Sequence, residues 1–420
     1  NVQLQPNGVC YNAMIWMYAK QGDPKRAEAL FMEMLQNSDN AADRATSLND
    51  NGTNDPRSTF PIDAGTWNGI LAAWAESGDP NAAHHVTKLI QRMEDMIDSG
   101  RLDPTCLSAS AYNKLLGCYA VKPKETQQQR QRRGGKDMVL ENAQKAQSLL
   151  HWMEHHEDSK FHPNGESYFN AILVWNYAGD PPKCQALLDQ LCHAVRNGKM
   201  SRLHDLNQRQ FSVAITAWSN VSERSPRAAE RAQAIFDSMV QEFDIKPDVV
   251  SYTALIWAYA KTKSMDPAQP VERLLTEMQQ KYEREGDASL CQPNSYTYNA
   301  VLSGLTRSPD PFAMDRAFTI FQQVRDMHQE NREKEGHLHR HQEQVLDTSL
   351  FKTIMIGWSN RKRPDLVEEV FHDLIDRYNA GDKLLRPITS LYVTRLQAWS
   401  KAANPEMASL VLQEMVAGHH

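Results

Sequence analysis

One short segment recurs nine times along this chain of 420 residues, and that recurrence constrains the fold more than any other feature. Its clearest copies are VCYNAMIWMYAKQGDP from Val9, TWNGILAAWAESGDP from Thr66, SYFNAILVWNYAGDP from Ser167, VSYTALIWAYAKTKSMDP from Val250, YTYNAVLSGLTRSPDP from Tyr296, SLFKTIMIGWSNRKRP from Ser349 and SLYVTRLQAWSKAANP from Ser390. Weaker copies begin at Ser110 and Arg209. Each reads as a helix: Tyr11, Ile15 and Tyr18 fall at i, i+4 and i+7, one face of a 3.6-residue period. An aromatic follows the Asn12-equivalent position by six residues in seven copies (Tyr18, Trp74, Tyr119, Trp218, Tyr259, Trp358, Trp399). It shares the face of the opening aromatic, so it is expected to pack between units rather than form a bare stacking ladder.

A second helix follows each first one. Prolines mark its start in eight copies: Pro24, Pro80, Pro181, Pro226, Pro267, Pro311, Pro364 and Pro405. Proline suits a first helical turn, where its missing N–H has no partner to lose. Asp23, Asp79, Asp180, Asp266 and Asp310 precede it as N-caps, and Gly22, Gly78 and Gly179 suit the end of the first helix. The second helix carries its own stripe, as in Ala232, Ile235, Phe236 and Met239. The predicted fold is all-α: a right-handed α–α superhelix (solenoid) of about nine helix-turn-helix repeats over residues 1–420. Its units are 8–63, 64–108, 109–164, 165–207, 208–248, 249–294, 295–347, 348–388 and an incomplete 389–420. The polar stretches 37–60, 122–137 and 325–343 read as exposed loops or helix extensions.

Composition removes other classes. No run of about 18 apolar residues spans a membrane, and the six cysteines show no CxxC pair, so neither a disulfide framework nor a zinc ribbon is expected. The chain opens at Asn1 without a Met, and Pro6-Asn7 reads as the end of a preceding unit, so a fragment is expected. No GxSxG, phosphate-cradling glycine loop or deaminase signature is present, and no catalytic residue, cofactor, metal or small-molecule substrate is expected. His151, His155, His156 and His162, and the run His337, His339, His341, read as solvated polar residues, as does the basic patch Arg130, Arg132, Arg133 and Lys136.

The elements YNAxI…YAK.GDP.RAEALFMEM and the junctions IKPDVVSYTALI and CQPNSYTYNAVL resemble the pentatricopeptide-repeat family over nearly the whole chain. The Tyr-Asn entry and the Pro-Asp/Asn junction separate it from the protein-binding tetratricopeptide repeat. The resemblance implies binding of single-stranded RNA, one base per repeat, in a mitochondrion or plastid. It implies a readout by the polar residue after the first-helix aromatic together with the last residue before the next unit. Carried over, the pairs are Asn12 with Asp63 (U), Asn68 with Ser108 (C), and Asn113 with Asn164 and Asn170 with Asn207 (C or U). Then come Ser212 with Asp248 (G), Thr253 with Asn294 (A) and Asn299 with Asp347 (U). Lys352 with Ile388, and Val393, fit no reading.

Charge offers an independent test. The nine first-helix segments hold Lys20, Lys114, Arg209, Lys261, Arg307, Lys352, Arg395 and Lys401 against Glu76 alone, a net +7 in a chain of net −6, which leaves −13 elsewhere. These eight cations are the expected contacts to the RNA backbone. The alternatives are a helical scaffold that holds a protein segment, or the RNA-binding part of a larger enzyme.

Overall fold

The computed structural model describes residues 8–47, 63–120, 134–286, 290–334 and 345–417. Among these residues every regular element is helical. The chain divides into two compact units, residues 1–210 and 211–420. The first holds α1 (Gly8–Lys20), α2 (Pro24–Ser47), α3 (Ala64–Ser77), α4 (Ala82–Asp98), α5 (Ala109–Tyr119), α6 (Gly134–His155), α7 (Gly165–Ala178), α8 (Pro181–Arg196) and the single turn α9 (Arg202–Asp205). α10 (Gln208–Val221) begins at its end. The second unit continues with α11 (Ala228–Asp237), α12 (Val249–Lys261), α13 (Ala268–Glu285), α14 (Ser295–Arg307), α15 (Ala313–Lys334), α16 (Thr348–Asn360), α17 (Pro364–Asn379), α18 (Thr389–Lys401) and α19 (Pro405–Ala417).

Within the first unit α1, α3, α5 and α7 pack each against the next, and α2, α4 and α6 wedge between successive first helices. The same pattern joins α12, α14, α16 and α18 in the second unit, with α13, α15 and α17 between them. Side-chain periodicity explains this stacking. Counting from the residue that caps each first helix, the fourth position is an aromatic in every repeat: Tyr11, Trp67, Tyr112, Tyr168, Phe211, Tyr252, Tyr298, Phe351 and Tyr392, all buried. One turn later Ile15, Leu71, Leu116, Ile172, Ile215, Ile256, Leu302 and Met355 have no exposed surface. Burying each such side chain contributes roughly 1.5–3 kcal/mol, so this stripe holds the stack together. The phenols at its edge are satisfied: Tyr11 donates to Glu33, Tyr112 to Glu94, Tyr168 to Glu154 and Tyr252 to Glu277, at 2.7–3.0 Å.

Of the aromatics at the eleventh position Trp74 is fully buried and Tyr259 and Trp358 nearly so, while Tyr18, Tyr119, Trp218 and Trp399 are half-buried. Pro24, Pro181, Pro364 and Pro405 are the first residues of α2, α8, α17 and α19, while Pro80, Pro226, Pro267 and Pro311 stand one or two residues ahead of their helices. Asp23 and Asp180 accept the N–H three residues on at the heads of α2 and α8, whereas Asp79, Asp266 and Asp310 accept the N–H two residues on in the turn ahead of the helix, and the N-caps of α4 and α13 are Asn81 and Pro267. Gly22, Gly78 and Gly179 turn the chain out of the first helix at φ of 68–75°. In repeats eight and nine the same left-handed position is held by Lys362 (φ 57°) and Ala403 (φ 56°), which glycine would occupy without strain.

All three polar stretches are partly helical, since α2 runs on to Ser47, α6 begins at Gly134 and α15 runs on to Lys334. Arg130, Arg132, Arg133, His337, His339 and His341 lie outside the described residues. No described helix is long and apolar enough to cross a membrane.

Candidate functional site

The start of each first helix is where polar side chains gather. Asp63, Asn164, Asp248, Asn294 and Asp347 all cap α-helices through their side chains, and Ser108 is an N-cap without such a bond. These are the residues expected to act as second members of the reading pairs, so each closes the next repeat's first helix. The first members stand five residues past a cap: Asn68, Asn113, Ser212, Thr253 and Asn299 follow Asp63, Ser108, Asn207, Asp248 and Asn294.

The geometry brings most pairs together through a hydroxyl. The Thr66 Oγ1 lies 2.7 Å from Asn12 Oδ1 and 2.8 Å from Asp63 Oδ1. Asn113 Nδ2 donates to Asn164 Oδ1 at 3.0 Å, and the Ser167 hydroxyl donates to Asn113 Oδ1 at 2.6 Å. Thr253 and Thr297 share a hydroxyl–hydroxyl bond of 2.7 Å, and Thr297 reaches Asn294 Oδ1 at 3.1 Å. Asn299 accepts from Thr353 at 2.6 Å, and its amide lies 3.4 Å from Ser349 Oγ, which donates to Asp347 at 2.5 Å. The Thr66 N–H and hydroxyl together hold the Asp63 carboxyl below the usual aspartate range, so it stays ionised. Among the described residues no side chain bridges Asn68 and Ser108, and the Ser110 hydroxyl donates to Asn68 Oδ1 at 3.5 Å.

The pair Asn170–Asn207 is out of register. Asn207 precedes α10 and Asn164 caps α7, so the fifth position of repeat four is Phe169, and Asn170 is one residue too far. Asn170 turns inward, its amide donating to the Asn113 carbonyl at 3.2 Å. The doubled aromatic Tyr168-Phe169 caused the slip. With the corrected count Trp175 falls at the eleventh position, so the core aromatic recurs in one more repeat than the sequence pattern revealed. Phe169 is covered by Arg209, whose guanidinium carbon sits 4.0 Å from the ring centre.

Accessibility separates the remaining readers. Asn12, Asn68 and Asn299 are half-buried, whereas Asn113 (1% exposed), Ser212 (4%) and Thr253 (3%) are closed over.

The eight cations fall into three groups. Lys20, Lys261, Arg307 and Lys401 share the last turn of their first helices, thirteen residues past the cap in α12, α14 and α18. Lys261 and Arg307 line one cleft of about 620 Å³ with Glu223 and Lys263. Burial, then the nearby Arg307 charge, presses the Lys261 ammonium below the usual lysine value, against the opposing charge of Glu223. Lys401 donates to Asn360 at 2.8 Å. Lys114, Arg209 and Lys352 are nearer the helix starts.

Arg395 belongs to neither surface, and its expected contact with a backbone phosphate is overturned. It is 3% exposed, pairs with Glu368 at 2.7 Å and Glu414 at 2.8 Å, and covers the Phe371 ring at 4.1 Å. It stands one turn after the core aromatic Tyr392, on the stripe that faces α17 and α19.

Two features went unseen in the sequence. Val250 (53% exposed) and Tyr296 (61%) stand two residues past their caps, apolar groups held off the core stripe, and Tyr296 approaches Trp257 with ring centres 5.8 Å apart. An acidic partner does accompany the histidines: His151, Glu154 and His155 place ligand atoms within 4.8 Å of one another. One Glu154 oxygen is already engaged by Tyr168.

The model of the PPR repeat matches residues 9–38, and that of the pentatricopeptide repeat domain matches residues 234–307. No curated protein sequence matches. Two solved structures of the pentatricopeptide repeat protein PPR10 with an 18-nucleotide psaJ RNA element, one a triple cysteine-to-serine variant, align at 15% identity and a TM-score of 0.42. The alignments cover 98% of this chain, which spans 60% of the length of those chains.

Proposed function

Since this chain belongs to the pentatricopeptide-repeat family, we propose that it binds single-stranded RNA sequence-selectively, one base to a helix pair. The observation that carries this reading is the meeting of reader and partner, as where Asn12 and Asp63 converge on one hydroxyl. A short amide beside a fixed carboxylate or second amide matches the Watson–Crick edge of an unpaired base. In chain order from the 5′ end the bases are U, C, C or U, an unread position at Phe169, then G, A and U. Discrimination is strongest opposite Asn12 and Asn299, whose side chains are reached without rearrangement. Lys20, Lys261, Arg307 and Lys401 take the phosphates, and this local charge outweighs the acidic total. The chain performs no chemistry of its own in this reading, and serves organellar RNA processing, stability or translation.

The test is binding of the full chain to an RNA of this order and to a scrambled RNA of equal composition, at several salt concentrations. Tighter binding of the ordered RNA supports the reading. Equal affinity for both refutes base selection, and no binding to either refutes RNA recognition in favour of a protein-holding scaffold.

A further inference from the structure

In three first helices the third residue is a buried hydroxyl that touches the reader of the preceding repeat. Thr66, Ser167 and Thr297 stand three residues past the caps Asp63, Asn164 and Asn294, and all three are 0% exposed. A hydroxyl in so dry a place must spend its hydrogen bonds on the protein. In each case its oxygen lies within hydrogen-bond reach of both the cap of its own helix and the reader of the preceding repeat, with one proton to give. For Asn12 and Asn113 the bond falls on the amide oxygen, at 2.7 and 2.6 Å. For Asn12 that contact holds the oxygen within and leaves the NH₂ to be presented, whereas the Asn113 NH₂ is itself given to Asn164. Repeat seven reaches the same result by another route, with Thr353 on the Asn299 oxygen.

We infer that this buried hydroxyl is a positioning residue that sets base preference, by holding the reader amide with its donor outward toward a pyrimidine carbonyl oxygen. An amide free to turn over offers an acceptor as readily as a donor and discriminates less. Repeat two supplies the contrast within the chain. Its cap Ser108 is followed at the third position by Ala111, which has no hydroxyl, and the Asn68 oxygen receives instead the longer contact of the Ser110 hydroxyl at 3.5 Å. The inference rests on the proposed RNA reading.

The experiment measures Kd for four RNAs that differ only in the base opposite repeat one, and for four that differ only opposite repeat two. Proteins are the full chain, Thr66→Val, Thr66→Ser and Ala111→Ser, with circular dichroism to confirm folding. Thr66→Val should reduce the pyrimidine-to-purine ratio opposite repeat one by about tenfold, the worth of one buried hydrogen bond, and leave repeat two unchanged. Thr66→Ser should restore it. Ala111→Ser should raise the ratio opposite repeat two. If Thr66→Val weakens all four RNAs equally, or Ala111→Ser leaves its ratio unmoved, the hydroxyl is structural only and the inference is overturned while the RNA reading stands. If the unmodified chain discriminates at neither position, both are overturned. Should Thr66→Val fail to fold, the Ala111→Ser ratio decides alone.

Discussion

Replacing Arg395 by alanine should loosen the last two helix pairs while leaving RNA affinity unchanged. The guanidinium is nearly inaccessible, and it neutralises Glu368 from α17 and Glu414 from α19 at once. Without it Glu368 keeps the Trp399 indole N–H at 2.8 Å as a neutral partner. Removing one member of a buried pair costs about 3–5 kcal/mol, because the surviving charge is left unpaired. Glu414 is 41% exposed and returns to water, which places the expected loss near the lower bound, about 3 kcal/mol. Stacked repeats do not unfold as one state, so a single melting temperature blurs the effect. Amide hydrogen exchange resolved by peptide is the better assay. Exchange across α17–α19 should accelerate roughly a hundredfold, with α12–α14 little changed. Arg395→Lys should lose part of this, since an ammonium cannot fork between two carboxylates. Unchanged exchange together with weakened RNA binding would refute the reasoning and return Arg395 to the binding surface.

Three further outcomes are expected. Lys362→Gly and Ala403→Gly should each stabilise their repeat by about 1 kcal/mol in urea unfolding, because glycine adopts the observed positive φ without a Cβ clash; destabilisation would show that these side chains earn their strain elsewhere. Lys261→Gln and Arg307→Gln should each lower the slope of log Kd against log salt by about 0.7, the value for one phosphate on a single strand, and an unaltered slope would exclude them from the RNA path. Burial, then the neighbouring glutamates, raises the phenols of Tyr112, Tyr168 and Tyr252 above the ordinary tyrosine value. The unfolded chain therefore loses these protons first, and stability present below about pH 10 should fall as pH rises beyond it. The triple Phe variant should be less stable at neutral pH and show a flatter alkaline decline; an identical decline would place its origin elsewhere.

The helix pairs were legible because their signals are local. A fourth-position aromatic, a proline at the second helix and an aspartate cap each act within a few residues, so their recurrence was enough to place nine pairs among the described residues. The site was legible only in outline. Asn12, Asp63, Asn113 and Asn164 could be singled out by spacing, but the hydroxyls that join them belong to a neighbouring helix more than fifty residues away in sequence. Tyr168-Phe169 offered two aromatics for one slot, and only the cap at Asn164 decides between them. Arg395 shows the limit of charge counting: residue type was visible, and the facing carboxylates of Glu368 and Glu414 were not.

The bridging threonine at the head of α3 has a consequence for anyone who would recombine such repeats. Its hydroxyl serves the reader of the repeat before it, so a cassette cut at residue 63 or 64 separates Asn12 from the groups that orient it. The unit that carries one letter is therefore offset from the unit that folds. A transplantable block should be joined inside the first helical turn, after Thr66 and before Asn68, so that each reader travels with the following cap and hydroxyl. Grafts joined at the conventional boundary would keep every helix and still misspell the message.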